Sequence, residues 1–168
     1  MITGVIFGDL NDGNIFLDEL PLCLSDTPEY YVKGLIDFAD HHRSCSVFEL
    51  ALSVCYMMME ACRKGTVPPI EAGGLVLAGY FQTNTLTEAE KSMLKISIEA
   101  RCVQTLVMGQ YTFRHVYPGN SYVLNTQKGG WETLQRLREL TADELWTRWN
   151  NIISSVGLKT TTLTNGCY

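Results

Sequence analysis

The chain has 168 residues, 46% hydrophobic composition and a formal net charge of −5, enough for one sizeable core and too little for two. No run approaches the ~18 apolar residues of a membrane span, and the first residues carry neither the basic nor the apolar region of a secretory signal, so the expectation is a soluble, unsecreted single domain over 1–168. The six cysteines, at 23, 45, 55, 62, 102 and 167, include no C-x-x-C pair, which argues against a disulfide scaffold and for reduced thiols in apolar segments.

In chain order, "GVIFGDL" and "NIFLDEL" flank "NDGN", and Asn11, Asp12 and Gly13 supply the chemistry of a tight turn, so the start reads as a hairpin. A calcium loop fails there, because Leu20 stands where the bidentate Glu belongs. "SDTPEYYVKGLIDFADHH" predicts an amphipathic helix, capped by Thr27 with Pro28 at its first position and ending near His41 and His42. "SVFE" then pairs Ser46 with Glu49 as a capping box, and an almost wholly apolar helix runs to Gly65 as the buried centre of the domain. After "TVPPIEAGG", the segments 74–81, 94–102, 105–117 and 121–126 read as antiparallel strands. Thr87 and Glu90 offer a competing helix start before the second of these. The end is helical again: 129–140, then a helix opened by the Thr141–Glu144 pair with Leu145, Trp149, Ile152 and Val156 as its stripe. The expected fold is α+β, an antiparallel sheet packed on a central apolar helix and C-terminal amphipathic helices.

Chemistry is not prominent in this reading. There is no G-x-S-x-G, H-E-x-x-H, P-loop or G-x-G-x-x-G. His41, His42 and Cys45 have no zinc-ligand spacing and read as a helix junction, so no cofactor, no metal and no catalytic residue is expected. Two surfaces remain. Val67, Pro68, Pro69 and Ile70 place apolar groups on a proline-stiffened connection, a candidate self-association loop. Lys128, Arg136, Arg138, Arg148 and Lys159 form a candidate face for an anionic partner. Residues 1–90 hold 4 Lys/Arg against 13 Asp/Glu, and residues 91–168 hold 9 against 5, so the halves differ in sign and suit head-to-tail contact between copies.

This order of elements, with the Val67–Ile70 loop and "GLKTTTLTNGCY" after the last helix, resembles the core of rhabdovirus matrix proteins. The resemblance implies a non-enzymatic virion protein that self-associates, binds the viral nucleocapsid protein and touches an acidic membrane surface, without direct sequence-specific nucleic-acid binding. It implies a location in the virion and host cytoplasm, peripheral to membrane. Neither a Lys-rich arm nor a P-P-x-Y motif is present. The competing expectation is a viral accessory or adaptor protein that binds one host factor.

Overall fold

The nineteen residues from Ser46 to Lys64 form helix α1, the central helix of the domain. Val47, Val54, Cys55 and Met58 are fully buried along it. Gly65, left-handed at φ 66°, ends it and donates its N–H to the Ala61 carbonyl. The structure, a computed structural model, describes residues 1–20 and 29–156. It is an α+β fold in which helices dominate: α2 (Pro69–Tyr80), α3 (Glu88–Tyr111) and α4 (Gln127–Arg138) pack on α1, α5 (Ala142–Ser155) packs on α2, and two small antiparallel sheets complete the fold.

Strand β1 (Thr3–Ile6) pairs with β4 (His42–Cys45), and β2 (Ile15–Glu19) pairs with β3 (Tyr30–Leu35). The expected hairpin between the first two apolar runs is therefore corrected, since each run finds its partner further along the chain. One consequence controls the rest of the molecule. The connection from β1 to β2 and the connection from β3 to β4 emerge at the same place and lie side by side.

The segment expected to be a helix up to His42 is strand β3 from Tyr30 to Leu35, followed by a single 3-10 turn at Phe38–Asp40. Its aromatic and β-branched residues favour a pleated partner, and β2 provides one. Thr27 and Pro28 lie outside the described residues. Conversely, the segments read as strands between 74 and 126 are helical. In α3 the fully buried apolar residues are Leu94, Ile98, Cys102 and Leu106, four apart, whereas Ile96 is 60% exposed. The apparent period of two arose because a surface isoleucine fell between core positions. The Thr87–Glu90 box does open α3, with both reciprocal hydrogen bonds present. Gly73 and Gly74 mark helix packing: a side chain at Gly73 would meet Val54 and Met58 of α1, and one at Gly74 would meet Trp149 and Ile152 of α5.

Candidate active site

The two adjacent connections carry closely tied polar groups. In the first, "FGDLNDGN", Asn14 is 8% exposed and donates from Nδ2 to the Asp9 carbonyl at 2.9 Å and to Asp9 Oδ2 at 3.1 Å. Asn11 repeats the pattern, donating from Nδ2 to Oδ2 at 2.9 Å and accepting from the Gly13 N–H at 2.9 Å. Asp9 Oδ2 is thus engaged by two amides, while among the described residues Oδ1 faces only the Arg101 guanidinium of α3, at 3.5 Å.

In the second connection Asp37 is left-handed at φ 65°, the only non-glycine residue among those described with positive φ. Such a conformation costs about 1–3 kcal/mol in a non-glycine residue and concentrates at functional sites. Just before it, the Ile36 N–H donates to the Asn14 carbonyl at 3.1 Å, and Phe38 just after it packs edge-on against Phe7 with ring centres 4.8 Å apart. The loops are therefore joined on both sides of Asp37.

Gly8 sets the approach. At φ 86° it adopts a conformation that glycine tolerates, and a Cβ there would collide with the Asp40 carbonyl. Its N–H donates to Glu49 Oε2 of α1 at 2.8 Å. The predicted Ser46–Glu49 box is corrected here, because the N-cap is Cys45 and makes no side-chain cap. The Glu49 carboxylate instead ties the core helix to the loop.

The resulting pattern is Asp9-Leu10-x-x-x-Asn14 beside Asp37-Phe38. In protein kinases an Asp with an Asn five residues on supplies the base for the acceptor hydroxyl and one Mg²⁺ ligand, and an Asp-Phe pair supplies the other. Here Phe7 and Gly8 stand where those loops have His and Arg. The donor set fits Mg²⁺, which takes one or two protein oxygens and completes its shell with phosphate and water. Asn14 spends its amide nitrogen on Asp9, leaving its oxygen for a cation, and Asp37 is presented on a strained backbone with its carboxylate in no hydrogen bond among the described residues. No cluster of three His, Cys, Asp or Glu occurs among those residues, and such a site needs none.

Arg101, which faces Asp9, also lines a cavity of about 600 Å³ between the first connection, α1, α3 and the segment 122–126. Asp12, Glu60, Arg63 and Arg101 give its walls both signs of charge. Burial, and next the Glu60 carboxylate, hold Asp12 above the ordinary carboxylate range. Glu60 is engaged by Arg63 at 2.5 Å and Lys64 at 2.9 Å, and its bond to Arg63 holds it below that range.

The residues singled out from sequence lie elsewhere. Pro69 and Ile70 are not on a projecting loop: they begin α2 and are buried, and the Ile70 carbonyl accepts from Trp149 Nε1 at 2.9 Å. Val67 is partly buried and only Pro68 is well exposed. Lys128, Arg136 and Arg138 are exposed on α4, with Arg136 tied to Glu132 at 2.6 Å, and Arg148 is exposed on α5. Lys159 lies outside the described residues. His41 and His42 hold the second connection, their Nδ1 atoms 2.5 Å and 2.7 Å from the carbonyls of Phe38 and Asp40. Cys55 shares a hydrogen bond with Cys102, which with burial pushes its thiol far up and leaves it inert. The signal that sequence reasoning passed over was the five-residue step from Asp9 to Asn14, with Asp37-Phe38 downstream.

The chain is similar to proteins named hydroxylysine kinase: 35% identical over 142 residues to that of Xenopus laevis, 37% over 143 to that of Mus musculus and 36% over 143 to that of Danio rerio. These alignments take in 83–84% of this chain and 36–37% of each relative, so the chain spans little more than a third of the length of the relatives it matches. No family model matches, and no solved structure matches. Relatives at this identity, all named as kinases, overturn the resemblance to rhabdovirus matrix proteins. With it fall the viral structural role, the adaptor alternative, the non-enzymatic expectation, and the nucleocapsid protein, the chain itself and an acidic membrane as partners.

Proposed function

We propose that this chain carries the acceptor-activating part of a small-molecule phosphotransferase, acting on the hydroxyl of hydroxylysine or a close amino-acid analogue. The observation that carries the reading is the joining of the Asp9–Asn14 loop to Asp37 through the Ile36-to-Asn14 hydrogen bond, which gathers one base and two cation ligands from separate connections. The names of the relatives support the acceptor, and the spacing supports the reaction class.

In this reading the acceptor hydroxyl donates to Asp9 Oδ1, because Oδ2 already accepts from Asn11 and Asn14. The two amides fix the plane of the carboxylate, so little reorganisation accompanies transfer. As the hydroxyl oxygen bonds to the terminal phosphorus of a nucleoside triphosphate, the bridging P–O bond breaks, its electron pair leaves with the nucleoside diphosphate, and the hydroxyl proton passes to Asp9. Asn14 and Asp37 would hold Mg²⁺, which when bound neutralises charge on the phosphates.

The test is phosphate transfer from Mg²⁺-nucleoside triphosphate to 5-hydroxylysine, read by mass spectrometry of the amino acid. Asp9→Asn is expected to lower the rate about 10²–10⁴-fold, the usual range for loss of a positioned base. Transfer that proceeds equally well in Asp9→Asn contradicts the assignment.

A further inference from the structure

A second cavity, of about 890 Å³, lies between strand β1, helix α1, the end of α2 and the segment 81–85. Asp9, Asn14 and Asp37 do not line it, so it is distinct from the proposed base and cation ligands. Its volume is in the range that encloses a small organic ligand. Much of its wall is apolar: Ile6, Leu50, Val76 and Phe81 contribute, and the first two are buried.

Two polar groups of α1 interrupt that wall. Glu49 accepts the Gly8 N–H at Oε2, and its Oε1 is buried with no partner among the described residues. Ser53 is 9% exposed, and its hydroxyl likewise has no partner among them. The two lie four residues apart, one turn along the same helix face, so a single group can reach both. A buried carboxylate oxygen without a donor is costly, and an unpaired buried hydroxyl adds to the cost. Glu49 is the one charged residue among those lining the cavity, with no Lys, Arg or His beside it there. Burial, and next the Glu90 carboxylate, push the Tyr80 phenol above its ordinary range, so a second negative charge acts on this wall. The field in the cavity is therefore negative over an apolar floor.

We infer that this cavity is a binding site for a small primary amine with an apolar body, its ammonium donating to Glu49 Oε1 and Ser53 Oγ. An ammonium offers three donors and no acceptor, which matches two acceptors one turn apart. Its charge-assisted bond to the carboxylate is stronger than one from a neutral hydroxyl. The apolar body lies against Ile6, Leu50, Val76 and Phe81. A carboxylate on the ligand would meet no cation on this wall, so amino-acid zwitterions are disfavoured. The site does not depend on the phosphotransferase reading.

The experiment is calorimetric titration of the full chain with phenethylamine, with 2-phenylethanol as its neutral counterpart and with phenylalanine, which adds a carboxylate. Phenethylamine is expected to bind about tenfold or more tightly than either. Glu49→Gln, whose amide oxygen can still accept from Gly8, should abolish the preference over 2-phenylethanol. Ser53→Ala should weaken phenethylamine binding about three- to tenfold, the worth of one hydrogen bond. Amide NMR shifts of the wild type locate the site without any substitution: phenethylamine should move the Gly8 and Ser53 signals and leave that of Gly129, on α4, in place. No binding of phenethylamine, equal binding of the three compounds, a preference that survives Glu49→Gln, or shifts that spare Gly8 and Ser53 overturns the inference. Phosphate transfer to 5-hydroxylysine is read separately, so failure here leaves the assignment of Asp9 standing.

Discussion

Asn14 grips Asp9 twice, at the carbonyl and at Oδ2, from a position almost closed to solvent. Asn14→Leu keeps the approximate volume but removes both donors. It should lower stability by about 0.5–1.5 kcal/mol, the usual net worth of a hydrogen bond, since Asn11 still donates to both Asp9 acceptors, measured as a lower urea midpoint at unchanged slope. The same variant should lose phosphate transfer, because the proposed cation ligand is gone and Asn11 alone holds the Asp9 carboxylate.

Gly8 is the hinge on which the loop meets its neighbour. Gly8→Ala adds a Cβ in the left-handed region and against the Asp40 carbonyl. The expected result is destabilisation by more than about 1 kcal/mol, since relief of unfolded-state entropy does not offset an incompatible native φ. Thermal melts of wild type and variant at one pH decide it.

Glu90 makes stability depend on pH. Its carboxylate accepts from the Ile2 N–H at 2.7 Å and from Thr87, and the Ile2 bond is the main reason it titrates below the ordinary glutamate value of 4.5. A folded-state value below the unfolded one contributes stability that is complete above 4.5 and fades as pH falls through the lowered value. Melting temperature followed downward from pH 6 should therefore fall less steeply in Glu90→Gln than in the wild type. Parallel curves would show that Glu90 does not contribute.

Trp149 fixes α5 to the start of α2 through its bond to the Ile70 carbonyl, with its ring fully buried. Trp149→Phe keeps most of the apolar contact and removes the indole donor, while the Ile70 carbonyl keeps its place in the hydrogen-bond ladder of α2. Expected is a loss of about 0.5–1.5 kcal/mol in chemical denaturation, with metal-nucleotide binding retained because Trp149 packs on α2 rather than on either loop.

Much of the helical scaffold was legible in sequence. The apolar run of α1, its Gly65 stop and the reciprocal box at Thr141 and Glu144 are local signals, and the structure realises each of them. The Thr87–Glu90 box was visible too, but the alternation of Leu94, Ile96 and Ile98 outweighed it until burial showed Ile96 on the outside. The site was hidden for a different reason. Asp9 and Asn14 lie in a stretch that reads equally well as a tight turn, and their partner Asp37 is brought in by strands that skip their sequence neighbours. Pairing between distant strands leaves no periodic trace near either loop. Pro69 and Ile70 misled because proline at the first turn of a helix looks, in sequence, like proline in a loop.

The most direct measurement is the electron paramagnetic resonance spectrum of Mn²⁺ titrated into the chain with ADP, comparing the wild type with Asn14→Ala and Asp37→Ala. The wild type should bind one Mn²⁺-nucleotide, and each substitution should weaken binding at least tenfold while Arg148→Ala, exposed on α5, leaves it unchanged. Equal binding by all four proteins would contradict a shared cation site built by the two connections.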